Sequence, residues 1–462
     1  MTVTTDASVI LLEFNELTPS LMDRFMREGK LPNFRRLWSQ ANVYMTDAEE
    51  TPPALNPWIQ WVTVHSGLSF TDHGVFHLGD GHKFRQKCIW DLVSDANLRV
   101  WVCGSMNVKY DLPLNGAILP DPWTSEPQPY PEELAPYVKF VQKQVQEHTN
   151  DHIAVSRGDY VQFLRFMSTH GLSVSTISEI TQQLLRERMR NSSWKRTVIL
   201  DKLQWDLFRW YYRKLKPHFS TFFLNSTAHF QHKYWRNMEP EHFKIRPTTD
   251  EQNAYEAAIL FGYQEMDKLV GGFLELANGD TTIILCTALS QQPCLLYEDE
   301  GGKCFYRPKN FADLFSFSGI DSRHTVAPVM SEQFQIHFED VQTAQKAESL
   351  LLALRVNGRP VMLAERNGAS IFSGCHIYYD VPRDAVLTIN GTDRSIRFLD
   401  MFYQADSTKS GMHHPDGLLW ISDPNRKQSV HQEKVSLRSV APTILKILGV
   451  PRPNHMQGSL LS

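Results

Sequence analysis

Short apolar runs rich in β-branched and aromatic residues recur along the chain at Val9 to Phe14, Val100 to Cys103, Thr221 to Leu224 and Thr282 to Cys286. Between them apolar residues return at helical spacing, and strands separated by helices are the pattern of a mainly parallel sheet covered on both faces. After the first run Leu21, Phe25, Met26, Phe34 and Leu37 recur at roughly helical spacing, interrupted by Gly29 and Pro32. That predicts a strand, a helix, a stop and a short helix. In such sheets ligands bind where strands end and loops begin, so the residues directly after each run carry the functional information.

Two long segments leave this alternation. Residues 125–215 are helical in pattern, through PEELAPYVKFVQKQVQEH, ISEITQQLLRERMR and the aromatic WDLFRWYYRKL, and predict an inserted helical cap. Residues 295–405 mix a helical stretch, VQTAQKAESLLLAL, with strand-and-turn text. The Asn-Gly pairs at Asn357-Gly358, Asn367-Gly368 and Asn390-Gly391 favour tight hairpin turns, because both residue types tolerate positive φ. The expected fold is a three-layer α/β/α core with a mainly parallel central sheet. It is built from residues 1–124, 216–294 and 406–462 and is interrupted by a helical insertion at 125–215 and a β-rich insertion at 295–405. The closing stretch SLRSVAPTILKILGVP is apolar at helical spacing and stops at Gly449 and Pro451, as a packed helix does.

By length alone 462 residues would suggest two to four domains. With 42% hydrophobic and 21% charged residues the chain can bury a large core, which excludes a disordered reading. Forty-seven basic against fifty-one acidic side chains leave a formal charge of -4, so there is no summed positive field to hold a nucleic-acid backbone, and no nucleic-acid partner is expected. The first residues, MTVTTDASVILLEF, lack a basic region before the apolar run and read as a first strand. No stretch reaches the roughly 18 consecutive apolar residues of a membrane span, so no membrane partner and a cytoplasmic location are expected. The six cysteines show neither metal-knuckle pairing nor disulfide density, and Cys103 and Cys286 sit in apolar runs as buried thiols.

Histidine is the informative residue. Eighteen are present, and several follow strand-like text: His229 and His232 in NSTAHFQHKYW, His413 and His414 in GMHHPDG, and His65, His73 and His77 in VTVHSGLSFTDHGVFH. Imidazole is the commonest metal ligand and the usual proton shuttle near neutral pH. At the end of the first strand EFNEL offers Glu13, Asn15 and Glu16. Strand alternation would point Glu13 and Asn15 together and Glu16 away, leaving Glu13 as acid, base or ligand. Asn15 or Glu16 capping the next helix is the plainer alternative. In TPPALNPWIQW the prolines dictate a rigid loop, and Thr51 and Asn56 are its only useful polar side chains before Gln60. Nothing nearby would activate the Thr51 hydroxyl.

VILLEFNELTPSLMDRFMREGKLPNFRRL, TPPALNPW, HSGLSFTDHGV, FFLNSTAHFQHKYWR, TTIILCTALS, GMHHPDGLLWI and VAPTILKILGVPRPNHMQGSLL together resemble, in order, the motifs of the alkaline phosphatase superfamily. The resemblance is to its type I phosphodiesterase and nucleotide pyrophosphatase branch, and it leaves the two insertions uncovered. Members of that branch are two-metal hydrolases. The resemblance places their first-strand Asp on Asn15, their nucleophile on Leu55 and an Asp-His pair on Ala288 and Leu289, so the ligands of one metal are gone. At the other metal the Asp falls on Ala228, while both histidines survive as His232 and His413. Glu13, Asn15 or His414 could complete a shell for a single divalent metal such as Zn; otherwise the histidines work without one.

The resemblance therefore implies a repurposed enzyme that hydrolyses or transfers a group from a small anionic phosphate ester, sugar phosphate or related substrate. In it His229, His232 and Glu13 carry the catalysis, and His232 with His413 holds any metal. Asn15, Asn56, Ser290, Gln291 and His414 bind substrate. The alternative is a pseudoenzyme that keeps the fold as a ligand- or protein-binding scaffold. Two-metal catalysis with substitute ligands ranks last, because the sequence supplies no second ligand set.

Overall fold

The strand that opens the chain is apolar on both faces, and all of it beyond Ser8 is buried, so it belongs inside a sheet covered on both sides. In a computed structural model, in which residues 5–123, 127–147, 155–188, 192–329, 332–405 and 408–461 are described, it lies at the middle of one. The strands used below are β1 (Ser8–Phe14), β2 (Asn42–Asp47), β3 (Val100–Cys103), β4 (Gly116–Leu119), β5 (Phe219–Leu224), β6 (Thr281–Cys286) and β7 (Ser290–Pro293). A nine-stranded sheet runs in the order Ser429–Val430, β2, Asp416–Ser422, β6, β1, β5, β3, β4, with Val435–Ser436 also paired to β2. The pairs from β6 through β1, β5 and β3 to β4 are parallel. Asp416–Ser422 runs antiparallel between β6 and β2. The four apolar runs of the sequence are thus four neighbours: β6, β1, β5 and β3.

Alternation along these strands divides the core into two layers. Ile10, Leu12 and Phe14 face one apolar cluster with Trp101, Phe222 and Leu285, while Val9 and Leu11 face another with Val102, Phe223 and Ile284. The second layer is closed by the helices Pro57–Ser66 and Val440–Ile447. The first is closed by Pro19–Arg27, Ala258–Leu276 and Thr197–Leu215. Thr197–Leu215 carries the aromatic stretch expected in the helical cap, yet it lies on the sheet. The Phe208 ring centroid is 5.2 Å from Phe222 and 5.3 Å from Phe273. Outside it stand Arg157–Thr169 and Val174–Glu187.

Residues 295–405 enclose a third apolar cluster. Two four-stranded sheets and the helices Phe311–Ser318 and Val341–Leu352 build it, so helices share the segment with strands. Asn357 and Gly358 form the two-residue link between Leu354–Val356 and Arg359–Pro360 with φ of 50° and 76°, the left-handed pair such a turn needs. The segment meets the rest of the chain where His77 stacks on Phe372 at 3.9 Å.

All six cysteines are buried, and burial pushes the Cys286 thiol up to about 12. No helix among the described residues is long and apolar enough to cross a membrane. The first four residues, the 124–125 boundary and the end of the ISEITQQLLRERMR stretch, residues 189 and 190, lie outside the described residues.

Phe222 is fully buried at the joint between the sheet and its outer helices. Phe222→Ala is expected to cost about 3–5 kcal/mol of stability, seen as a lowered urea midpoint of the full chain. A loss below about 1 kcal/mol would show that Trp205, Phe208 and Phe273 close the space, against this account of the layer.

Candidate metal centre

The centre begins with a break in strand alternation. Glu13 is still on β1 and points with Val9 and Leu11 into the second layer, where it is fully buried and its Oε1 lies 2.8 Å from His65 Nε2. Beyond Phe14 the strand ends, and Glu16 takes a φ of 62°, a left-handed conformation that is uncommon outside glycine. Its N–H donates to the Thr287 carbonyl just past β6 at 3.3 Å. This turn carries the Glu16 carboxylate to a site that alternation alone would not give it.

Two histidines meet it there. His232 lies on the helix Ser226–Met238, and His413 on the strand Gly411–His414, which pairs antiparallel with β7 so that His413 stands opposite Gln291. His232 Nδ1 is 2.9 Å from the Gly411 carbonyl and His413 Nδ1 is 2.9 Å from the Leu55 carbonyl. A carbonyl oxygen only accepts, so both Nδ1 atoms carry the proton, and each neutral ring is left with its lone pair on Nε2. Those Nε2 atoms lie 3.0 and 3.6 Å from Glu16 Oε2. The three ligand atoms all fall within 4.8 Å of one another.

Burial lowers the His413 imidazole to about 3, with Glu16 pulling the other way. For Glu16 burial acts upward, but His413, His232 and the Gln291 amide outweigh it and hold the carboxyl at about 2. At neutral pH the site therefore presents an ionised carboxylate and a neutral His413. Three lone pairs converging around a buried carboxylate and two half-buried imidazoles repel one another unless a cation stands among them, either a proton on His232 or a metal ion. Two imidazole nitrogens and one carboxylate oxygen, with each imidazole fixed through its other nitrogen by a carbonyl, are a donor set that suits Zn²⁺.

A second ring of polar groups fixes this set. Gln291 donates from Nε2 to Glu16 Oε2 at 2.5 Å and to the Ala228 carbonyl at 2.9 Å. Asn15 donates from Nδ2 to Glu16 Oε1 at 2.8 Å and to Asn225 Oδ1 at 2.7 Å, and accepts from Trp61 Nε1 at 2.9 Å. Gln231 donates to the Glu16 carbonyl at 2.7 Å and accepts from the Tyr263 hydroxyl at 2.8 Å. Thr18 ties Tyr263 to the Gln291 backbone.

Glu13, expected as the catalytic carboxylate, stands instead with His65, because alternation sends it through the sheet; the carboxylate that meets His232 and His413 is Glu16. Nor does Glu16 cap the next helix, whose N-cap is Thr18. Asn15 and Gln291 join the centre as hydrogen-bond donors to Glu16. His229 is exposed on the helix that carries His232. His414 is half-buried, and its Nδ1 accepts from the Asp416 N–H at 3.2 Å. Ser290 is buried at the start of β7, opposite His414. Asn56 is half-buried and donates to the Pro53 carbonyl at 2.8 Å. Leu55, Ala228, Ala288 and Leu289 are all buried.

Sequence reasoning passed over Lys303 and Lys409, which lie at the two ends of the 295–405 segment, too far apart in sequence for spacing to reveal them. The Lys409 N–H donates to the Lys303 carbonyl at 2.7 Å. Both ammonium groups sit over the Phe305 ring, at 5.4 and 5.6 Å from its centroid, and that of Lys303 also lies 4.9 Å from the Tyr378 ring. Burial and the Lys303 charge push Lys409 below its ordinary range, while Glu16 is among the groups that pull it back.

No protein-family model matches the chain, and no curated protein matches it. Solved structures are similar to it in fold. One is murine ectonucleotide pyrophosphatase/phosphodiesterase 5, in an inactive form in complex with AMP, with 9% identity and a TM-score of 0.43 over 98% of this chain and 98% of that one. The human protein gives 10% and 0.43, over 98% and 97%. Phosphonoacetate hydrolase from Sinorhizobium meliloti 1021, in complex with phosphonoformate, gives 11% and 0.40 over 97% and 99%. The match runs over nearly the whole chain at low identity. It is a likeness of fold, and the chemistry is read from the residues of the centre itself.

In protein kept metal-free by chelation, stability is expected to fall with pH. His413 binds its proton at 6.5 when unfolded but only near 3 in the fold, so between those values the unfolded chain holds more protons and acid favours unfolding. Glu16 adds to the loss as pH drops from 4.5 through about 2. Urea midpoints measured from neutral pH downwards should decline, and less steeply for His413→Asn. Equal slopes for the two proteins would contradict a neutral, buried His413.

Proposed function

We propose that the chain is a hydrolase of small anionic esters, phosphate esters foremost, centred on one divalent metal held by Glu16, His232 and His413. The convergence of the Glu16 carboxylate with two Nε2 lone pairs, each ring anchored at Nδ1 by a carbonyl, carries this reading. A divalent ion bound there supplies Lewis acidity to the ester.

The protein's own groups do the rest. Gln291 and Asn15 hold the carboxylate in one orientation, and the Gly411 and Leu55 carbonyls hold the rings, so the donor set is built in advance of the substrate. Lys303 and Lys409 offer positive charge to the anionic group that a phosphate ester brings. Leu55, where the resemblance places the nucleophile, has no hydroxyl, so the reading assigns attack to water and no covalent ester to the chain. Asn56, Ser290 and His414 stay in the proposal as substrate-contacting groups and His229 as a catalytic one, and the carboxylate role passes from Glu13 to Glu16.

One observation favours a second reading, a binding protein without turnover. Asn15 is locked between Trp61, Asn225 and Glu16, and Leu55, Ala288 and Leu289 belong to the buried apolar cluster of the second layer, so the half of the pocket the family would use for its other metal is filled.

Elemental analysis and zinc titration, followed by assays on phosphomonoesters, phosphodiesters and phosphonates, separate the readings. Wild type is expected to bind about one Zn²⁺ per chain, and Gln291→Ala to bind it about 10–100-fold more weakly. Glu16→Gln and His232→Ala should lose both metal and turnover. Metal binding by wild type with no turnover across the panel would favour the second reading. Failure of wild type to bind any divalent metal would overturn the metal centre itself.

A further inference from the structure

Two helices on the outside of the first layer carry apolar side chains that stand largely in solvent, though the Tyr160 ring also meets Phe140 edge-on at 5.2 Å. Val174–Glu187 spans 14 residues, of which Thr176 alone is buried. Val174, Ile177, Leu184 and Leu185 are 82%, 49%, 45% and 55% exposed. At 3.6 residues per turn these four positions, with Thr181 between them, fall within about 100° of one face. The neighbouring helix Arg157–Thr169 buries Phe163, Phe166 and Met167 inward and turns Tyr160, Val161 and Leu164 outward. Seven of the seventeen exposed large hydrophobic residues among the described ones thus lie between positions 160 and 185. A 14-residue helix with one buried residue is marginal in water on its own, and an apolar stripe of this kind marks a surface made to be covered.

The charges say by what. The acidic residues of the two helices are each neutralised from elsewhere: Asp159 by Lys143, Glu179 by Lys202 and Glu187 by Arg196. Arg157, Arg165, Arg186 and Arg188 are exposed, and none is ion-paired with a carboxylate of the described residues. What the two helices present to their surroundings is aliphatic carbon together with unneutralised guanidinium groups, and by the same helical count Arg188 falls within the stripe of Val174–Glu187. A second copy of the same face would bring like charges together. Aliphatic side chains beside arginines are instead the chemistry of a helix lying in a headgroup layer.

We propose that Arg157–Thr169 and Val174–Glu187 form a docking surface that rests on an anionic phospholipid membrane without crossing it. The absence of a spanning segment does not bear on this, since the helices would lie in the plane of the surface. The inference is independent of the metal centre.

Co-sedimentation of the full chain with phosphatidylcholine vesicles, with and without phosphatidylserine, tests it. Binding is expected to the phosphatidylserine-containing vesicles, weakening as salt is raised. Leu184→Gln combined with Leu185→Gln, and separately Arg157→Glu combined with Arg188→Glu, should each lower it by about tenfold or more. All four side chains are exposed, so the variants are expected to keep the wild-type unfolding curve, which is measured alongside. The proposal is overturned if wild type stays in the supernatant with both vesicle types, or if neither double variant weakens binding. Concentration-dependent dimerisation without vesicle binding would overturn it in favour of a protein interface.

Discussion

Lone pairs that point at one another need a cation between them, and at the end of β1 the chain has placed three. The arrangement depends on a backbone turn: Glu16 in a left-handed conformation, its N–H given to Thr287 and its carbonyl taken by Gln231. Buried hydrogen bonds on every side hold that conformation in place, and the same bonds give the carboxylate one position. Metal affinity in such a site comes from this order, because the ligands need no rearrangement to receive an ion.

The strands were legible because burial on both faces leaves an unbroken apolar run, and β1, β3, β5 and β6 each have one. The Asn-Gly hairpin at Asn357-Gly358 was legible because the turn demands positive φ twice. The convergence of His232 and His413 came through the resemblance, since the residues lie far apart in sequence. Glu16 escaped the reading for a physical reason. Alternation is a rule about strands, and it lapsed two residues beyond Phe14, where a non-glycine residue turned left-handed with no composition signal to announce it. The stretch WDLFRWYYRKL was misleading in another way: its aromatic residues mark contact with a sheet, and helical periodicity does not say which surface a helix covers.

The filled half of the pocket shows how a site is narrowed without losing its walls. Trp61 reaches Asn15 with its indole N–H, so the Asn15 amide is satisfied at both ends. An amide so bonded has no charge to offer an ion. Leu55, Ala288 and Leu289 close the same region with apolar atoms. The polar groups that converge there are one compact set, Glu16, His232 and His413.

The segment 295–405 leaves the central fold through β7 and returns through Gly411–His414, and these two strands are hydrogen-bonded to each other with Gln291 opposite His413. The doorway of the insertion is therefore made of the same two residues that hold Glu16 and complete the donor set. A body of over a hundred residues is joined to the sheet through that short ladder, and it meets the rest of the chain again where His77 stacks on Phe372. Because Gln291 and His413 both sit in that ladder, the same backbone hydrogen bonds seat the segment and place the donor set.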